Sequence, residues 1–179
     1  MFEGSKIVTV AAGGYHTMAV GVNGALWAWG AGYSGMLGLG DAWDRRVPTL
    51  VGAEEVFLGS KVRVAACGND HTLAVTEAGE LWAWGRGAHM VPTRVDPQHF
   101  AYAPISAVAA GFQHSAAVTA GGAPYGGGGA PARAPWLAPP RPAPTPAVSL
   151  TPCQSRATGE EEYILTINEC ISPLLLGQR

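Results

Sequence analysis

Short apolar segments recur along residues 1–120, and each closes on glycine or a polar turn. Thr17–Val20 and Ala25–Trp29 flank Gly21-Val22-Asn23-Gly24, where Asn-Gly favours the positive φ of a tight hairpin. Val8–Ala11 and Val62–Ala66 predict a preceding strand, and Pro48–Val51 and Pro92–Val95 predict one more per unit. The stretches TMAV, TLAV, ALWAWG and ELWAWG are apolar at nearly every position. A strand covered on one face alternates polar with apolar, and a strand covered on both does not. The pattern therefore predicts short strands in sheets stacked face to face, with no helical spacing.

The same pattern repeats. Residues 7–30 and 62–85 superimpose without a gap, and His71 follows His16 by 55 residues. Gly13 matches Gly68, Thr17 matches Thr72, and Leu26-Trp27-Ala28-Trp29-Gly30 matches Leu81-Trp82-Ala83-Trp84-Gly85. A third copy opens at Ile105, with Gly111 and His114 in the glycine and histidine places. It fades where the tryptophan strand is due, although Gly122 suits the hairpin and Tyr125 suits the place of Trp27 and Trp82.

Beyond Ala120 the composition changes. Nine of the 14 prolines lie between Pro124 and Pro152, and Arg133 and Arg141 are the only charges between Ala120 and Pro152. Proline removes ladder donors and glycine raises the entropy cost of ordering, so this stretch is expected to hold no sheet. The expected organisation is repeats at 1–60, 61–104 and 105–120 (partial). A low-complexity, largely disordered Gly/Pro/Ala-rich tail follows over 121–159, then a short C-terminal segment over 160–179.

In Gly13-Gly14-Tyr15-His16-Thr17, Leu26-Trp27-Ala28-Trp29-Gly30 and Gly35-Met36-Leu37-Gly38-Leu39-Gly40, the chain resembles the regulator-of-chromosome-condensation repeat family. The second copy keeps the pattern through Gly85 but lacks the glycine loop, and only 43 residues separate His71 from His114. The resemblance implies a seven-bladed β-propeller. The expectation for this chain is all-β, an incomplete propeller forming an arc of two to three antiparallel blades. Gly13, His16, Trp29, Gly68, His71, Trp84, Gly111 and His114 are expected to be structural repeat residues.

Composition narrows the chemistry. Hydrophobic residues make up 47 % and charged residues 13 %, and the net charge is −2, so no basic field invites nucleic acid or anionic lipid. Cys67, Cys153 and Cys170 have no metal-ligand spacing and no disulfide pattern. No signal peptide or membrane-length apolar run is present, which predicts an intracellular protein, cytoplasmic or nuclear. His16, His71 and His114 fall in successive blades, so they are expected to lie far apart, with the imidazole and the following Thr or Ser hydroxyl bonding backbone groups at a turn. His89 and His99 lack ligand company, and no metal or cofactor is expected. Ser34, Ser60 and Ser106 sit in no elbow motif, and Gly35–Gly40 and Gly126–Gly129 lack the Lys-Ser/Thr of a phosphate loop, so no enzyme is expected.

One family branch uses propeller tryptophans as a photoreceptor, but Trp27, Trp29, Trp82 and Trp84 read here as core. Trp43 lies outside the repeated core beside Arg45 and Arg46, and with Tyr33 it defines a candidate partner-binding loop. The expected function is a protein-interaction scaffold, part of a larger propeller. The resemblance also implies an alternative, guanine-nucleotide exchange on a Ran-type GTPase. Expected partners are proteins, a small GTPase or a ubiquitin-pathway protein, with self-association through open blade faces. A further reading competes: residues 121–179 are rich in Ala, Pro, Gly and Arg, the products of GC-rich codons, as in a truncated or frame-shifted chain without independent function.

Overall fold

Three glycines set the hairpins of three successive sheets. Gly24, Gly79 and Gly122 hold φ of 82°, 78° and 83°, a left-handed conformation that other residues adopt at a cost. A computed structural model describes residues 5–52, 56–86 and 89–128, all within the unit Met1–Arg141. The first sheet holds β1 (Ile7–Ala12), β2 (His16–Gly21), β3 (Leu26–Gly30) and β4 (Arg45–Leu50). The second holds β5 (Val62–Cys67), β6 (His71–Thr76), β7 (Leu81–Gly85) and β8 (His89–Arg94). The third holds β9 (Ile105–Ala110), β10 (His114–Thr119) and β11 (Pro124–Gly128). Each is an antiparallel meander with sequential neighbours paired, the form of a propeller blade.

The register preserves the repeat. Trp27 pairs with Ala19, Trp82 with Ala74, and Tyr125 with Ala117. Large aromatic against small alanine recurs at the same place in each blade. The third blade also corrects the expectation that order ends near residue 120, because β11 pairs along its length with β10. Its proline causes no loss: Pro124 opens an edge strand, where a missing amide leaves no ladder bond broken. Pro48 in β4 and Pro92 in β8 use the same allowance on the other outer strands. The rest of the stretch expected as a tail, and the segment 160–179, lie outside the described residues.

Stacking explains the missing alternation. Every position of β6 and β7 is buried, because the second blade is covered on both faces. In β10 burial alternates, and Ser115, Ala117 and Thr119 face the second blade. One apolar cluster fills the first seam, with Met18, Val20 and Ala28 from the first blade against Ala74, Trp82 and Trp84 from the second. Another fills the second seam, with Leu73, Val75 and Ala83 against Ile105 and Ala117.

Each inter-blade linker adds one aromatic ring. Phe57 meets Trp82 edge-on at 5.3 Å, and Phe100 meets Tyr125 edge-on at 5.2 Å. Phe100 is delivered by a 3-10 turn, Pro97–Phe100, capped by the Asp96 carboxylate on the Gln98 amide. Burying such a ring contributes about 2–3 kcal/mol, so the linkers fasten the seams as well as connecting the sheets.

Candidate functional site

The end of the blades that carries the β1–β2 turns also carries the β3–β4 loop, and histidine joints hold it together. His16 Nε2 lies 2.8 Å from Thr72 Oγ1, and the Thr72 hydroxyl donates to the Met36 carbonyl at 2.8 Å. Because that hydroxyl has a single proton, His16 donates through Nε2 and its Nδ1 is the bare nitrogen. His71 Nε2 lies 3.1 Å from Ser115 Oγ in the second seam. The imidazoles of His16 and His71 thus bond hydroxyls of the following blade rather than turn backbone, whereas the Thr72 hydroxyl does reach loop backbone. Burial drives the His16 pKa down to about 4, with His71 adding to the effect. His71 is lowered by burial, partly offset by Asp70. No group of metal-ligating side chains occurs among the described residues.

The glycine-rich stretch Gly35–Gly40 is a plug. Met36 and Leu37 are fully buried over the first seam, and the Met36 carbonyl also accepts the Trp84 Nε1 proton at 3.0 Å. Gly38 has φ 75°, and a Cβ there would stand 2.7 Å from Trp84 Nε1, so glycine is required for the close approach. Nothing in the sequence marked this carbonyl, whose two donors lie 36 and 48 residues away. Cys67 is buried at the same seam, near the Ala11 carbonyl, and burial pushes its thiol up to about 12, which keeps it an unreactive core residue.

Around the plug, aromatic side chains stand in solvent. Trp43 is 75 % exposed, yet its backbone is held on both sides. Its amide donates to Asp41 Oδ1 at 3.1 Å, and its carbonyl accepts from Arg45 Nη1 at 3.0 Å. Arg45 Nη2 closes the clamp on Asp41 Oδ2 at 2.6 Å. The Arg45 hydrogen bond, then the Trp43 amide, holds the Asp41 carboxyl below its ordinary pKa. Tyr33 is exposed and meets Tyr15 edge-on at 6.1 Å. Exposed Met90 borders the loop through its carbonyl, which accepts from the Gly40 amide. The structure thus joins Trp43 to Arg45 and Tyr33 to Tyr15. Arg46 is exposed one residue along β4, where side chains point to the opposite face. Tyr15 and Met90 were not singled out by sequence reading, because a turn tyrosine and an edge methionine carry no local signature.

Comparison with known proteins agrees with this geometry. The "Regulator of chromosome condensation (RCC1) repeat" model matches residues 23–75, and a second model of the same description matches residues 7–35 and 62–89. Ultraviolet-B receptor UVR8 of Arabidopsis thaliana is 37 % identical over 138 residues, covering 71 % of this chain and 30 % of that protein. Probable E3 ubiquitin-protein ligase HERC3 of Homo sapiens is 37 % identical over 86 residues, covering 48 % of this chain and 8 % of that protein. The chain spans less than a third of the length of either relative. Among solved structures, human WBSCR16 has a TM-score of 0.63 and 26 % identity, covering 71 % of this chain and 35 % of that one. Prp20p from Saccharomyces cerevisiae, whose structure was described with its binding to Gsp1p and histones, has a TM-score of 0.62 and 24 % identity. It covers 72 % of this chain and 33 % of that one, a likeness of fold. No helix among the described residues is long and apolar enough to cross a membrane.

Proposed function

Since this chain belongs, through residues 7–89, to the regulator-of-chromosome-condensation repeat family, we propose that it is a protein-interaction scaffold whose partner docks on the loop carrying Trp43. The observation that carries this reading is the clamp: an indole 75 % exposed on a backbone fixed from both sides by Asp41 and Arg45. A large ring in solvent is a hydrophobic cost to the free protein. Holding it in place removes much of the ordering entropy that a partner would otherwise have to overcome. Tyr33, Arg45 and Arg46 complete the aromatic and arginine composition that dominates interface anchors.

HERC3 is named as a ubiquitin ligase and Prp20p as a binder of Gsp1p and histones. A ubiquitin-pathway protein and a small GTPase are accordingly the partner classes to assay. The test is affinity measurement between the purified full chain and each candidate by calorimetry. Trp43→Ala weakens binding by about 10- to 100-fold, the range of an interface hot spot. Its near-ultraviolet circular dichroism should change only by the lost indole. A partner bound equally well by Trp43→Ala and by Arg46→Ala would remove the loop from the interface. For a GTPase partner, accelerated nucleotide release would replace the scaffold reading with exchange.

A further inference from the structure

The three blade hairpins share one backbone form, and the first is built from different side chains. The Gly24 amide donates to the Gly21 carbonyl, Gly79 to Thr76 and Gly122 to Thr119, each at 2.9 Å. In the second and third turns a threonine hydroxyl also holds the amide that opens the next strand. Thr76 Oγ1 accepts from Glu80 at 3.2 Å, and Thr119 Oγ1 accepts from Ala123 at 3.1 Å. Gly21 stands in the place of those threonines and has no hydroxyl. Asn23 takes over the task, its Oδ1 accepting from the Ala25 amide at 3.2 Å.

This substitution puts a carboxamide directly before a glycine. Asn23 is exposed, and Ala78 and Gly121 hold the matching places in the other turns. Glycine carries no side chain to shield its amide nitrogen, so Gly24 is a free nucleophile toward Asn23 Cγ once the turn lets go. The folded turn does not let go. The Gly24 proton is committed to Gly21, and the Asn23 carboxamide is committed to Ala25. The Gly24 carbonyl in turn accepts from the Val62 amide across the first seam at 3.1 Å, and the Gly24 backbone packs against Lys61. Ring closure therefore requires the hairpin and the adjoining edge of the seam to open together.

We propose that Asn23 is a modification site, converted to isoaspartate when the first hairpin opens and preserved as asparagine while it is closed. Hydroxide takes the Gly24 amide proton, and the nitrogen attacks Asn23 Cγ to form a cyclic succinimide. The side-chain nitrogen leaves as ammonia, taking a proton from water and regenerating the hydroxide. Water then opens the ring at either carbonyl, giving aspartate or isoaspartate. Nothing is oxidised or reduced, and water is the net co-reactant. Isoaspartate lengthens the main chain by one carbon, so the Gly24 bonds to Gly21 and Val62 no longer fit one turn. The change thus records an opening of the first seam and leaves that seam weaker. It lies at the hairpin end, uses neither Trp43 nor its loop, and stands apart from the partner reading above.

Peptide mapping of the full chain tests it. The chain is held at mildly alkaline pH, folded in buffer or unfolded in urea, and then digested with trypsin. Asn23 is the only carboxamide residue in the tryptic peptide Ile7–Arg45, so a gain from amide to acid mass there reports this residue alone. Isoaspartyl methyltransferase labelling distinguishes isoaspartate from aspartate. Conversion should be about tenfold or more faster in urea than in buffer, since the folded chain must first break the bonds that hold Gly24. Asn23→Ala, which copies the second turn, should show no mass gain or methyl labelling in that peptide. Equal rates in buffer and urea would overturn the proposal, because the fold would not gate the reaction. So would an Ile7–Arg45 peptide that gains no isoaspartate in urea, or one that is labelled in Asn23→Ala.

Discussion

A hydroxyl proton decides how the repeat histidines work. Thr72 accepts from His16 and donates to the Met36 carbonyl, so one side chain ties the first blade, the second blade and the loop plug together. Thr72→Val leaves a buried imidazole N–H without its acceptor, at a cost of about 1–3 kcal/mol. Thr17→Val, the same change at the matched place of the first blade, removes no bond among the described residues and should be near neutral. Urea denaturation of both at one fixed concentration separates them. The histidines also predict a pH dependence. His16 Nδ1 is buried without a partner, and its folded pKa of about 4 lies below the unfolded value of 6.5. The unfolded chain therefore binds the proton first. Stability is complete above pH about 6.5, falls as pH drops, and levels off below about 4, with His71 acting in the same direction. Thermal melts from pH 8 to pH 4 should show this fall, and His16→Gln should shrink it.

At the scale of strands and turns, the sequence pattern was read well where the signal is local. Asn23-Gly24 and Gly79 mark hairpins because only certain residues reach a left-handed φ cheaply. The unalternating strands correctly implied cover on both faces, as β6 and β7 show. The third hairpin was underestimated, because proline and glycine weigh against a strand unless the strand lies at an edge, and edge position is a property of the whole sheet. Two glycines then distinguish turn from seam. Gly79→Ala and Gly122→Ala each impose a left-handed alanine, about 1 kcal/mol. Only Gly79→Ala also drives a methyl into Pro104, so it should lose appreciably more, about 2–3 kcal/mol in total. Equal melting temperatures for the two variants would show that the second seam yields freely.

At the scale of the molecule, three stacked sheets bury two seams among the described residues, and the middle blade is covered on both sides. Stacked repeats share stability with their neighbours, so an end blade is the weakest. Native-state hydrogen exchange should therefore protect the amides of β6, buried on both faces, more than those of β10, which is exposed at His114 and Ala116. Equal protection of the two strands would mean that the third blade draws no stability from a second neighbour.

The repeat period, the hairpins, the aromatic-over-alanine pairing and the family were legible in the sequence. The hairpins and the pairing rest on backbone conformation and side-chain pattern within about 25 consecutive residues, and the period and the family on the recurrence of such segments. Trp43 was legible as a candidate because it falls outside the repeated core, although its exposure and the clamp that holds its backbone were not. Only the tertiary structure decided which hydroxyl each histidine reaches, where the Met36 carbonyl is buried, and how Phe57 and Phe100 close the seams. These contacts join residues 25 to 56 positions apart. What meets across a seam depends on how the next blade stacks, and no local pattern encodes that distance.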